Sequence, residues 1–208
     1  MTDTSDARAS SDGMKSRKQH RKVVQNARAI ELAMKRIALE IAEANDGLAG
    51  VAVVGIHRRG VPLAKRLIRL LREHDDGGCD SPVDIPFGMV DITLYRDDVM
   101  FQSLPKPQLN ATEIDFDVTG KRVVLVDDVL FTGRTIRAAL DAIMDYGRPS
   151  SIQLAVLADR GGRELPIQPD YCGKQIETGP GQSVRVHVSE TDGEDRVYLV
   201  SEEPFNGA

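Results

Sequence analysis

The stretch Val123-Val124-Leu125-Val126-Asp127-Asp128-Val129-Leu130-Phe131-Thr132-Gly133-Arg134-Thr135 constrains the fold more than any other. Val123 to Val126 are aliphatic without alternation, the pattern of a parallel strand covered on both faces. Asp127 and Asp128 fall where that strand would end, and ligands of open α/β sheets bind outside the carboxyl ends of the strands. Thr132-Gly133-Arg134-Thr135 then opens an amphipathic run from Ile136 to Tyr146. Two hydroxyls, a glycine and the amides of a helix N-terminus make a cradle for an anion. The spacing matches neither a Walker A loop nor a dinucleotide fingerprint.

Carboxylates beside an anion cradle repel the anion unless the ligand carries hydroxyls as well as phosphate. The aspartates can accept hydrogen bonds from ribose hydroxyls or face a Mg²⁺ ion while the loop holds a phosphate. The alternative, that Asp127 and Asp128 cap the next helix, places them several residues too early for a helix starting near Gly133.

A second unit of this kind lies upstream. Val51 to Ile56 reads as a buried strand, and Val61-Pro62 opens a helix through Leu71. Between them His57-Arg58-Arg59-Gly60 puts two cations at a strand's carboxyl end, an anion site rather than a plain surface loop. Ala27 to Ala44 has helical spacing in Ile30, Ala33, Met34, Ile37 and Ile41. Val83 to Tyr95 reads as largely extended and Arg72 to Ser81 as a polar turn. Met100 to Thr119 has no period, and the segment from about Asp98 to Asp117 is expected to be a mobile lid. Ile136, Ala139, Leu140, Ile143 and Met144 are the expected inner face of the helix after the cradle. Ser151 to Ala158 is another buried strand. Asp170 to Gly173, two strands at Ser183 to Val188 and Arg196 to Val200, and an acidic turn at Glu190 to Asp195 follow, and are expected to fold over the site as a hood.

The chain of 208 residues suffices for one α/β domain, and its net charge of −5 leaves any nucleic-acid role to a local patch. Cys79 and Cys172 have no metal spacing, as for reduced thiols of a cytoplasmic protein. No apolar run approaches the roughly 20 residues of a membrane helix, so no membrane partner is expected. Residues 1–22 read as a disordered basic tail, 23–202 as the folded domain and 203–208 as a C-terminal tail.

The stretch from Val123 to Thr135 closely resembles the phosphoribosyl-pyrophosphate (PRPP) motif of the type I phosphoribosyltransferases. Asp91 to Asp98, Val126 to Thr135, and Gly147 to Pro166 with Asp170-Tyr171 resemble the PyrR family of pyrimidine-operon regulators that are also uracil phosphoribosyltransferases. The resemblance covers residues 25 to 202. It implies a central parallel sheet flanked by helices, with a small hood and a flexible loop, and a homodimer or higher oligomer. It implies that Asp127 and Asp128 hold the ribose hydroxyls of PRPP and, directly or through water, Mg²⁺. Val129, Leu130, Phe131, Thr132, Gly133, Arg134 and Thr135 would complete the PRPP loop, and Arg58, Arg59 and Gly60 would hold pyrophosphate. Tyr95 and Arg96 would stand at the base of the closing loop, Arg96 counting with the aspartates as catalytic. Asp159 and Arg160 would lie by the uracil. The implied reaction gives UMP and pyrophosphate.

Two departures qualify the resemblance. Purine-salvage relatives carry an acid immediately before the Thr-Gly of the motif, where this chain has Phe131, which argues against a purine. In RNA-binding relatives, basic residues on the first helix and after the hood's Asp-Arg-Gly are thought to face a leader mRNA. This chain keeps Lys35, Arg36, Arg160 and Arg163. It has Glu31, Leu32, Leu39, Gly162 and Gln168 where basic residues often stand, so weakened RNA binding is expected. A UMP-sensing RNA-binding attenuation regulator with incidental catalysis and a transferase for another base remain the alternatives.

Overall fold

The computed structural model describes residues 19–73, 83–92 and 112–202. Its centre is a parallel sheet of five strands in the order β3-β2-β4-β5-β6. These are β2 (Val51–Ile56), β3 (Phe87–Val90), β4 (Arg122–Leu130), β5 (Ser151–Asp159) and β6 (Tyr171–Gln175). The unbroken aliphatic run of β4 has a direct cause. Val124 and Val126 pack on one side with α1 (Ala27–Ala44) and α2 (Gly60–Glu73), while Val123 and Leu125 pack on the other with α3 (Arg134–Met144). A strand sandwiched in this way has no solvent face on which polar residues could alternate.

Helix α1 starts where Asn26 caps it, its Oδ1 accepting the Ala29 N–H at 2.9 Å. Glycines let α2 lie close to the sheet: a Cβ on Gly55 would meet the Val61 Cα at 2.7 Å, and one on Gly60 would overlap the Val126 carbonyl oxygen.

A second, antiparallel sheet joins the two ends of the described chain, in the order β1-β8-β7. Its strands are β1 (Gln19–Gln25), β7 (Gln182–His187) and β8 (Arg196–Glu202), with the short helix α4 (Ser189–Asp192) between the last two. Val184, Val186 and Val197 drive its inner face into the core shared with α1 and α2. This is the expected hood, now with an N-terminal strand.

Several expectations need correcting. Gln19 to Lys22, expected in the disordered tail, lie in β1, held by pairing with Glu202 to Leu199; residues 1–18 are outside the described residues. The central strand continues past the aspartates to Leu130, because β5 extends alongside it as far as Asp159. Tyr171 to Gln175, part of the region expected to fold over the site, form the fifth strand of the parallel sheet. On α3, Ile136, Ala139 and Ile143 are buried as expected and Leu140 partly so, but Met144 is 54% exposed. Of the expected extended segment, Phe87–Val90 is the strand. Of the expected lid, residues 98–111 lie outside the described residues. Its far end is fastened: Glu113 bridges Met89 in both directions, and Thr112 Oγ1 accepts the Asp91 N–H at 3.2 Å.

Candidate active site

The carboxyl ends of β2, β4 and β5 carry the segments that the sequence singled out. Asp127 is buried at 6% exposure and Asp128 is half-buried. Each aspartate side chain accepts the following backbone amide, Asp127 Oδ1 from Asp128 N at 2.8 Å and Asp128 Oδ1 from Val129 N at 2.9 Å. Burial drives the Asp127 carboxyl well above the usual carboxylate range, and the neighbouring Asp128 charge adds to it. Burial raises Asp128 too, against the pull of its hydrogen bond to Asp127 and of the Arg59 charge. Burial thus disfavours two charges side by side here, and a hydroxyl donor or a cation would relieve them.

The cradle follows at once. Gly133 takes φ 91° as the N-cap of α3, a left-handed conformation suited to glycine. Gly133 brings no side chain to cap that helix, the Arg134 N–H donates to Thr132 Oγ1 at 3.4 Å, and a helix N-terminus of this kind favours an incoming anion. The Arg134 guanidinium bonds Glu164 through Nε at 2.6 Å. Thr132 O accepts the amides of Glu164 and Leu165, tying the cradle to the loop after β5.

Phe131 is 41% exposed beside the cradle. The Arg160 guanidinium lies 3.7 Å from its ring centroid, and a Cβ on Gly162 would fall 2.7 Å from its edge. Arg160 also donates to Gln182 O of the hood at 3.3 Å, while its Nε is buried with no partner among the described residues. Asp159 is a brace: it accepts Gly161 N at 2.9 Å and Arg163 Nη2 at 2.7 Å. Burial pushes its carboxyl up, but Arg163 and the Gly161 amide outweigh that and hold it below the usual range.

On β2, the His57–Arg58 peptide is cis and Arg58 is exposed. Arg59 reaches the hood instead of standing open. Its Nε and Nη2 donate to Asp192 Oδ2 and Oδ1 at 2.9 and 2.8 Å. The sequence offered no signal for this pairing, since Asp192 belonged to an acidic stretch with no evident target. Arg66 binds Ser189, Glu190 and Asp195 nearby and so fixes α4 to α2. Asp192 is held at about 2, chiefly by Arg59. Its folded value is depressed, so the pair stabilises the fold above about pH 4, and that contribution fades as pH falls through about 2. Asp192→Asn is expected to cost roughly 1–3 kcal/mol at pH 5. In thermal melts from pH 5 to 2, the gap from the parent protein should close with acid.

The cations expected to face RNA are otherwise employed. Lys35 pairs with Glu31 at 2.7 Å. Arg36 pairs with Glu40 at 2.6 Å and donates to the Cys172 and Gly173 carbonyls at 2.9 and 2.8 Å. Arg163 turns inward with a side chain 13% exposed. Besides Asp159, it serves Phe131 O at 3.0 Å and Ile167 O at 2.8 Å. Loop carbonyls that need donors claim these guanidinium groups. Tyr95 and Arg96 lie outside the described residues. Among the described residues no group of three or more His, Cys, Asp or Glu side chains could hold a metal ion, and no helix is long and apolar enough to cross a membrane.

Comparison with known proteins agrees with this geometry. The phosphoribosyl transferase domain family matches residues 20–191. The bifunctional protein PyrR of Thermus aquaticus is 53% identical over 178 residues, covering 86% of this chain and 94% of its own. That of Listeria monocytogenes is 48% identical over 181 residues, covering 86% and 96%. In fold, the hypoxanthine phosphoribosyltransferase of Trypanosoma cruzi superposes with a TM-score of 0.60 at 20% identity, over 88% of this chain and 97% of that one. With the family match across most of its length and relatives at this identity, on a sheet of this topology, the chain belongs to the phosphoribosyl transferase family and, within it, to the bifunctional PyrR proteins.

Proposed function

We infer that the protein transfers the phosphoribosyl group of PRPP to uracil, giving UMP and pyrophosphate, and belongs to the type that also regulates pyrimidine genes. The observation that carries this is the buried acidic pair Asp127–Asp128, both carboxyls raised by burial, set beside the N-terminus of α3. Ribose hydroxyls donate to the acidic pair, and the helix N-terminus takes the 5′-phosphate. N1 of uracil attacks C1 of the ribose as the bond to pyrophosphate breaks, and the N1 proton passes to water or to the departing pyrophosphate. Positive charge grows on the sugar, where the acidic pair lies, and negative charge on the leaving group, where Arg59 lies. Mg²⁺ fits as a chelate of the substrate: it keeps several waters and needs only one or two carboxylates beside phosphate oxygens. When bound, it supplies further positive charge to the pyrophosphate. Phe131 and the stacked Arg160 flank the base position and offer no side-chain acid to a purine. A cytoplasmic setting and a homodimer or higher oligomer accompany this reading.

The test is steady-state turnover with PRPP and Mg²⁺, using uracil, orotate, hypoxanthine or guanine. Uracil should be favoured by on the order of 100-fold or more in kcat/KM. Efficient use of either purine would overturn the assignment of the base. For the regulatory half, binding to the native leader RNA with UMP is expected to be weak, with a shallow salt slope. Each phosphate contact adds about 0.7 to 0.9 to the log–log slope, and Lys35, Arg36 and Arg163 are already engaged. Tight, UMP-enhanced binding across a salt series would instead favour the regulator as the main role.

A further inference from the structure

The reading above puts Arg59 on the leaving group, yet two of its donors are already taken. The Nε–Nη2 edge is spent on both oxygens of Asp192, at 2.9 and 2.8 Å. A guanidinium has five N–H donors in a rigid fork, and no hydrogen bond among the described residues uses the Nη1 side. The bond to Asp192 raises the Arg59 pKa above its ordinary value, and the Asp128 charge adds a smaller pull in the same direction. Asp192 is itself anchored. Its Oδ2 accepts the Val188 N–H at 2.9 Å, and Arg66 holds α4 to α2 through Glu190 and Asp195. The two side chains are 31% and 15% exposed, so water screens the pair only in part.

We propose that Asp192 is a positioning residue for the reaction: it clamps one edge of Arg59 so that the other edge stands pre-oriented for the pyrophosphate of PRPP. This rests on the assignment of Arg59 to the leaving group. A flexible arginine loses rotamer freedom whenever it binds an anion, and the hood carboxylate has already fixed it. The hood, which borders the base position, thereby also sets the cation on the opposite side of the reacting carbon.

The experiment compares the parent protein with Asp192→Asn, Asp192→Glu, Arg59→Lys and the double variant Asp192→Asn/Arg59→Lys. In turnover, Asp192→Asn should raise KM for PRPP about tenfold, as for outer partners that orient a binding group, and leave KM for uracil unchanged. Asp192→Glu should recover part of the loss. Arg59→Lys keeps the charge but cannot pair bidentately, and the double variant should be little worse than either single change. Inorganic pyrophosphate with Mg²⁺, titrated calorimetrically, gives the same comparison without turnover. A protein that fails to use uracil yet shows this coupling keeps the proposal and loses the base assignment. Additive effects, a uniform loss in every parameter, or unchanged pyrophosphate affinity in folded Asp192→Asn would overturn it.

Discussion

Asp128→Asn should lower kcat/KM for PRPP by about 10²- to 10³-fold, the range for removing one preorganised electrostatic partner, while the fold persists. The asparagine keeps an oxygen for the Val129 amide, so local backbone geometry has no reason to change. What disappears is the charge opposite Arg59 and one carboxylate of the acidic pair. The variant should also be more resistant to heat at neutral pH, because Asp127 loses a like-charged neighbour in a buried site. The sign follows from the raised pKa values. Both carboxyls hold protons more tightly folded than unfolded, so their ionisation works against the fold as pH rises above about 4. The stability gain should be absent below that pH and grow above it. Thermal melts from pH 3 to 8, run beside pyrophosphate-release assays, check both halves. Near-parental turnover in a folded variant would remove Asp128 from the site.

Gly60→Ala should be the more damaging change to the fold, although alanine is the better helix former. Helix α2 starts at Gly60, so local propensity alone favours the substitution. The new methyl group would overlap the Val126 carbonyl oxygen and come within 3.3 Å of the Asp127 Cα, both backbone atoms of the central strand. Overpacking of this kind costs about 1–3 kcal/mol, a fall in Tm of roughly 3–10 °C for a domain of this size. Any relief pushes Arg58 and Arg59 away from the acidic pair, and misplacement near 1 Å is worth about 10²-fold in rate. A variant with unchanged Tm and KM for PRPP would show that the loop and β4 are not in close contact. The sequence suggested Gly60 as a pyrophosphate ligand; the fold adds that the start of α2 must approach the backbone of β4 closely there.

The elements that were legible in the sequence are those whose own residues dictate them. The helix Ala27–Ala44 and the strand Val51–Ile56 have the bounds that their apolar spacing gave. The cradle follows the acidic pair as the continuous stretch implied, although β4 runs two residues beyond the aspartates to Leu130. Elements that depend on distant partners were not legible. Strand β1 has only Val23 and Val24 as apolar content beyond its basic residues and exists through pairing with β8. Strand β6 buries Tyr171 but leaves Lys174 and Gln175 exposed, and joins the sheet through β5. Side-chain destinations were hidden for the same reason. Local sequence shows Arg36 and Arg163 as cations but does not show the carbonyls that take their donors.

The pairing of Gln19 with Glu202 means that the first described strand must wait for the last. During synthesis the strands that carry the acidic pair and the Arg58–Arg59 loop are made by Asp159, well before β8 exists. At about 5–20 residues per second, β1 spends roughly ten to forty seconds without its neighbour. An unpaired strand is a template for the wrong chain, and charge along its edge is the usual protection. Arg21 and Lys22 supply that charge in β1. The nascent chain thus holds the acidic pair and the α3 cradle before its first strand has found a partner.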